Sequence, residues 1–496
     1  MAKALRMALN EKHHLIDNTE RSQLQRCLDT IQKSMKVTSM QGMVERLDSI
    51  TRQQGLIFSA GPGTQECFIS SDMFYVEVLL EPSGEVKDVK ISHHGDPVSC
   101  PELTEVLRKG DFAEFTSHLE GLASIYQLNA DKKQKTKAYL ALQALETDLS
   151  ILSQLQSFMN EPSNLVHKSP VGILQPRKGG HPMKLTFFIS PYDLLDLESR
   201  SSIPLTVDAI LEKQLGHSVF VCIESCSAHK LQTVSLITVT VQDGKSLPSF
   251  AALSNLNSTT LPASFVLKLP KPIPMALVLV RKIQAVTNIE CADTTSCQPL
   301  LSLIITQASD GKLSGSSDRG LNVTLPDQHH CYYLTGSSEL QGVLVSGVPF
   351  THPTHVPQIL VFLRQQLLFN TLIASCVRPS SRQTDINSSH KFEVNTTSIS
   401  NISISFEHPL DESLATVDLN LDEITNVKCR IYTLNSDINI CTDEYASKVV
   451  QRCLSIPVTM RAVIRKAQGQ QMRLSSQTDS YYSALNSSGP SYLPHL

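Results

Sequence analysis

The stretch KISHHGDPVSCPEL, residues 90–103, gathers two histidines, an aspartate, a cysteine and a glutamate within fourteen positions. These side chains ligate metals and carry protons. Local chain logic accounts for most of them. Ile91–Ser92 closes a strand. Gly95-Asp96-Pro97 is a turn, because proline cannot continue a ladder and glycine admits positive φ. Ser99-Cys100-Pro101-Glu102 fits a capping box opening a helix through Leu103, Val106 and Leu107. Adjacent histidines rarely converge on one ion, so the stretch reads as strand, turn and helix start.

Other residues invite the same question. Cys222, Cys226 and His229 offer three zinc ligands, but Cys222 falls inside a strand pattern and no fourth ligand is near in sequence. His329-His330-Cys331 opens a strand whose alternation sets His330 and Cys331 on opposite faces. His352 and His355 flank Pro353 in a turn. A Cys–His nucleophile assembled across space from such residues is the enzymatic alternative. Asp422-Glu423 reads as a solvated turn, and Arg461, Arg465 and Lys466 as a solvated face of the last helix. No phosphate loop, dinucleotide fingerprint, HExxH or GxSxG occurs. No catalytic residue, metal ligand or cofactor is assigned, and a binding or scaffold protein is the favoured class.

The elements that position these residues follow from periodicity. Residues 19–35 and 38–54 carry apolar side chains at helical spacing. CFIS, FYVEVLLE and VKDVKIS predict strands, the last two joined by the turn PSGE. Residues 111–126 and 131–158 predict two more helices. In the second, Ala138, Leu142, Leu145, Leu149 and Leu152 form an a/d seam of a little over two heptads. That seam either packs the helix within its own domain or offers a docking strip to a partner chain. Beyond it, MKLTFFIS, SVFVCIE, TVSLITVTV, ASFVLKLP, HCYYL and GVLVSGVPF predict strands, and PMALVLVRKIQAV and LLSLIITQA buried helices. Residues 357–376 predict a helix apolar on most sides, followed by four strands and two helices.

The chain is therefore read as α+β and multidomain, with a helical N-terminal region and antiparallel sheets packed on helices. Its expected divisions are a helical and α+β module (1–158), a linker (159–181), a β-rich middle region (182–356), an α+β module (357–467) and a disordered tail (468–496). The order helix, strands, two helices recurs at both ends, and Cys441 before Thr442-Asp443-Glu444 echoes Cys100-Pro101-Glu102. Two related modules are expected, and different strand orders would rule that out.

Composition bounds the function. The 496 residues carry 43 basic and 47 acidic side chains, a net charge of -4, which gives no electrostatic footprint for nucleic acid. The longest purely apolar run, Met275–Val280, is far too short to span a bilayer. The first residues show no apolar core of signal-peptide length, so the twelve scattered cysteines read as reduced thiols of cytosol or nucleus.

Several long stretches are similar to the metazoan Mediator subunit 1 family, the thyroid-hormone-receptor-associated component of the RNA polymerase II coactivator. They are KVTSMQGMVERLDSITRQQGL, SSDMFYVEVLLEP, HHGDPVSCPEL, KTKAYLALQALETDLS, LPASFVLKLPKPIP and ICTDEYASKVVQRCLSIPVTMRAVIRKA. They are colinear, and the resemblance runs from about Cys27 to Ala467. It implies a nuclear, non-enzymatic subunit that contacts other Mediator subunits, chiefly of the middle module. It also implies a part in relaying signals from DNA-bound activators, notably nuclear hormone receptors, to the polymerase. Family members bind those receptors through LxxLL helices. Here the Leu-Leu pairs begin at Leu79, Leu194, Leu300 and Leu367, and three residues before them stand Val76, Pro191, Cys297 and Arg364. No LxxLL exists, so receptor docking rests on the resemblance alone. The chain reads as a truncated form, a short isoform or a paralogue that keeps only the core.

Overall fold

The computed structural model describes residues 37–469 except 64, 157–158, 160, 197, 243–244, 314–319, 379–389, 411 and 435–439, together with 23, 27, 30 and 31. Most of the predicted helix over 19–35 lies outside the described residues, although those four are helical. Of the predicted tail, Gln468 and Gly469 continue the last helix, and the remainder lies outside the described residues.

Helix α1 (Met40–Gln53) is capped by Ser39, whose hydroxyl accepts from the Gly42 amide at 3.2 Å. An antiparallel meander follows: β1 (Ile57–Ala60), β2 (Glu66–Ser70), β3 (Tyr75–Leu80), β4 (Val86–Ser92) and the short β5 (Val98–Ser99). In β3 Val76, Val78 and Leu80 are buried, the period-two alternation of a sheet with one covered face. The β3–β4 turn rests on the start of α1. At Gly84, with φ of 90°, a Cβ would stand 2.5 Å from the Met40 nitrogen, so glycine is required there. Next come α2 (Pro101–Arg108), α3 (Phe112–Ser124) and α4 (Lys132–Gln154). The first turn of α4 is fixed by a capping box. The Asp131 carboxylate accepts from the Gln134 backbone amide at 2.7 Å, and the Gln134 side-chain Oε1 accepts from the Asp131 backbone amide at 3.4 Å.

The middle of the chain runs α5 (Pro162–His167), β6 (Ile173–Gln175), β7 (Lys184–Phe188), β8 (Leu195–Asp196), β9 (Ser201–Ser202) and α6 (Val207–Glu212). It continues through β10 (His217–Gln232), β11 (Ile237–Gln242), β12 (Lys245–Phe250), β13 (Ser258–Ala276) and α7 (Leu277–Thr287). Then come β14 (Gln298–Pro299), α8 (Leu300–Ala308), β15 (Leu321–Thr324), β16 (His329–Gly336) and β17 (Gln341–Phe350). An antiparallel sheet has the order β14-β17-β13-β10-β7-β6, so the stretch 159–181 contributes α5 and the edge strand of this sheet. The helix predicted from Pro274 begins instead at Leu277. Pro274, Met275 and Ala276 pair with Leu344, Val343 and Gly342 of β17, and this non-local ladder outweighs their helical spacing.

The C-terminal part comprises α9 (His355–Ala374), β18 (His390–Ser398), β19 (Asn401–Glu407), β20 (Leu414–Asn420), β21 (Lys428–Thr433), α10 (Asp443–Cys453) and α11 (456–469). A third sheet has the order β15-β16-β18-β19-β20-β21, parallel only between β16 and β18. Parallel neighbours need a crossover, and here it runs through β17 and α9. Helix α9 lies between the sheets. Gln366 Oε1 accepts from the Ala276 amide of β13, and Gln365 reaches Ser400 beside β19. That position explains why Ile359, Leu363, Leu367, Phe369 and Ile373 are all buried.

The end modules share a strand order. Both β1-β2-β3-β4 and β18-β19-β20-β21 are antiparallel meanders preceded by a helix and followed by two. In each, the next helix packs on the last strand, α2 on β4 and α10 on β21. They differ in what is added: β5 beside β4 in the first, and β15 and β16 beside β18 in the second. One contiguous apolar core runs from Met43 to Ala467.

Candidate functional site

The residues that first suggested chemistry are spent on structure. His93 donates or accepts at the Tyr126 hydroxyl, 2.8 Å away, and stacks on Tyr139 with ring centroids 4.4 Å apart. Burial pushes the His93 imidazole down to about 4, with the Arg177 and His94 charges acting in the same direction. The expected capping box at Ser99 is absent. Cys100 is the N-cap of α2 and makes no side-chain cap, while the Ser99 hydroxyl donates to Asp88 at 2.7 Å. Pro101 at the first helical position supplies the start signal instead.

Among the described residues, the Cys–His combination suggested by Cys222, Cys226 and His229 is not arranged for nucleophilic attack. His229 Nδ1 lies 2.7 Å from the Ser227 carbonyl, so that nitrogen carries the hydrogen and cannot take one from Cys226, 3.4 Å away. Cys222 is held in β10 opposite Val266, and burial raises its thiol to about 11, far from a thiolate at neutral pH. Both ring nitrogens of His330 are occupied, by Tyr332 Oη at 2.7 Å and Gln328 Oε1 at 2.8 Å, and burial lowers it to about 3. His352 is bonded to the Thr354 hydroxyl and the Ala251 carbonyl.

Among the described residues, Glu114, His118 and His181 alone bring three metal-competent side chains together. Nothing in the sequence announces this cluster, because 63 positions separate His118 in α3 from His181 in the loop between β6 and β7. His181 Nε2 donates to Glu114 Oε1 at 2.7 Å, and the two imidazole centroids are 3.9 Å apart. The Gly180 amide donates to His118 Nδ1 at 3.0 Å. An amide can only donate, so the one lone pair of the neutral His118 ring is used there, and Nε2 carries the hydrogen. A divalent cation needs that lone pair at Nε2, so the cluster does not fit a metal. It fits a clasp. A Cβ on Gly180 would stand 1.8 Å from the His118 carbonyl oxygen, so glycine lets residues 177–181 lie directly on α3. Arg177 closes the other end with a bidentate bond to Glu146 of α4, the shortest contact 2.6 Å.

The seam residues Ala138, Leu142, Leu145, Leu149 and Leu152 are all buried inside this chain, where α4 packs against β10 and β13. Their helical face also carries a buried carboxylate, Asp148, which the heptad pattern did not single out. It accepts from Gln232 Nε2 at 2.8 Å, the Ser235 hydroxyl at 2.5 Å, and the amides of Leu236 and Ile237. The signal available in sequence was an acid three residues after Leu145 and four before Leu152, on an otherwise apolar stripe. The Leu-Leu pair at Leu367 is also internal, since both leucines are buried and Arg364 is held by three backbone carbonyls.

With these groups committed to folding, kinship carries the functional argument. A family model described as Mediator of RNA polymerase II transcription subunit 1 matches residues 25–378. The chain belongs to the Mediator subunit 1 family. It is 42% identical over 457 residues to Mediator of RNA polymerase II transcription subunit 1 of Xenopus laevis, covering 89% of this chain and 29% of that protein. Identity is 43% to the Xenopus tropicalis protein, with the same coverage. It is 40% over 473 residues to the Drosophila melanogaster protein, covering 93% of this chain and 32% of the other. The chain thus spans about a third of the length of these curated Mediator subunit 1 relatives. Among the described residues, no helix is long and apolar enough to cross a membrane.

Proposed function

We propose that this chain is a non-enzymatic subunit of Mediator, acting in the nucleus in RNA polymerase II transcription through contacts with other Mediator subunits, chiefly of the middle module. The observation that carries this reading is the family match across nearly the whole folded core. The hydrogen bonds of His330 agree with it, since both of its ring nitrogens are engaged, one by Tyr332 and the other by Gln328. Contact with nuclear receptors is not extended to this chain, because no LxxLL occurs in its sequence.

The test is co-purification. A chain of residues 1–469, retaining all of α11, should recover middle-module subunits from cells as well as the full chain does. Complete loss of those subunits from both forms would sink the proposal.

A further inference from the structure

Strands β11 and β12 form a two-stranded ribbon outside the main sheets. An isolated two-stranded hairpin is marginal in water, yet this one is tied firmly at its base. Asp148 holds the incoming side through Ser235, Leu236 and Ile237. On the outgoing side, Ala251 donates to the Leu236 carbonyl at 2.9 Å, and its own carbonyl faces His352, whose ring packs near Phe250. Beyond Ile237 every residue of β11 is exposed. Val241 is 71% exposed, and Leu256 in the adjoining loop is 97% exposed.

The ladder phase shows which edge is open. In an antiparallel pair, the N–H and C=O of one residue point to the same side, and the side alternates along the strand. The Leu236–Ala251 bond faces inward, so Ile237, Val239 and Val241 face outward from β12. The Ile237 amide is taken by Asp148, 3.4 Å away, as this phase requires. On the opposite edge, Pro248 pairs with Val239 and has no N–H to offer, which blunts that side. Among the described residues, β11 pairs only with β12.

We propose that the outer edge of β11 is a strand-addition site that receives an extended, uncharged segment of another polypeptide chain of the assembly. This rests on the reading of the chain as a Mediator subunit. Asp243 and Lys245 are the only charged residues between positions 233 and 257, so the surface offers nothing to a phosphate backbone or an acidic peptide. The six residues of β11 span about 20 Å. Pairing over that length covers much less than the roughly 1,200 Å² of a stable two-chain interface. A second copy held only here would not stay paired, whereas a subunit fixed by several contacts can use one this small.

The experiment compares amide hydrogen exchange, resolved to single residues, in the isolated full chain and in purified Mediator containing it. The Val239 and Val241 amides are expected to be fast in the isolated chain and slow in the complex. Two variants accompany it: Val239→Pro, which removes an outward N–H, and Val241→Lys, which places a charge on the exposed ribbon. In competition with the unsubstituted chain during assembly, each should be incorporated about tenfold less, with the melting temperature of Val241→Lys unchanged. Equal exchange of Val239 and Val241 in a complex that does contain the chain overturns the site and leaves the Mediator reading standing. Unchanged incorporation of both variants does the same. Protection of these amides in a sedimenting homodimer makes a second copy the occupant and overturns the proposal. Failure of the unsubstituted chain to enter Mediator overturns the parent reading and this site with it.

Discussion

Arg364 is a buried charge whose partners are backbone carbonyls: Phe187 at 3.0 Å, Val166 at 2.9 Å and Ser169 at 2.7 Å. Burial lowers the guanidinium to about 10, so it stays charged at neutral pH. It joins α9 to β7 and to the end of α5. Arg364→Met keeps the apolar stem but leaves those carbonyls without their donor. It should cost about 3 kcal/mol, read as a lower melting temperature; an unchanged melt would show that water takes over the three acceptors. His118 gives a pH signature. It titrates at about 4 in the folded chain, against an ordinary 6.5, because it is buried and then because His181 is adjacent. The unfolded chain therefore binds the proton first as pH falls. The contribution of His118 is complete above about 6.5 and is lost as pH falls toward 4, by up to about 1.4 kcal/mol per pH unit. His118→Gln keeps an acceptor for the Gly180 amide, so the loss of melting temperature between pH 7 and pH 5 should become shallower. An identical slope would remove His118 from the acid response.

At the scale of elements, α4 decides between the two readings of its leucine seam. Leu145 is fully buried against neighbours in the same chain. Leu145→Asp places an unpaired charge there, which costs several kcal/mol. The substituted chain is expected to be poorly soluble and to melt well below the parent. A variant that melts normally but no longer assembles into Mediator would make α4 a docking element. The neighbouring Asp148 tests the ribbon separately. Asp148→Ala removes the acceptor shared by Gln232, Ser235, Leu236 and Ile237. It should speed amide exchange at Leu236 and Ile237 at least tenfold, corresponding to a loss of about 1.4 kcal/mol of local stability. Unchanged exchange there would mean that the ribbon base is held by β12 alone.

At the scale of the whole molecule, the three sheets and the interposed α9 share a single apolar core. Such a body presents few free leucine pairs. The pair at Leu367, three residues after Arg364, is sealed inside. The isolated chain is therefore expected to show no agonist-dependent binding to a nuclear receptor ligand-binding domain at micromolar concentration, a threshold of about -8 kcal/mol. Saturable binding in fluorescence polarisation would place receptor recognition on another surface.

Periodicity alone determined most of this architecture. The β3–β4 hairpin, the helices α3, α4 and α9, and the repeated order of helix, meander and two helices follow from local patterns, because burying one face imposes a period of 2 or 3.6 on the sequence. Similarity of long stretches likewise determined the family. Tertiary structure decided whatever depends on partners distant in sequence. Pairing with β17 turned Pro274–Ala276 from helix to strand. Asp88 took the Ser99 hydroxyl away from its expected cap. A glycine pair between two helix-facing segments brought His181 onto His118. The open edge of β11 became visible only when the inward Leu236–Ala251 bond fixed the ladder's phase, because a strand's sequence does not state which of its edges is already paired.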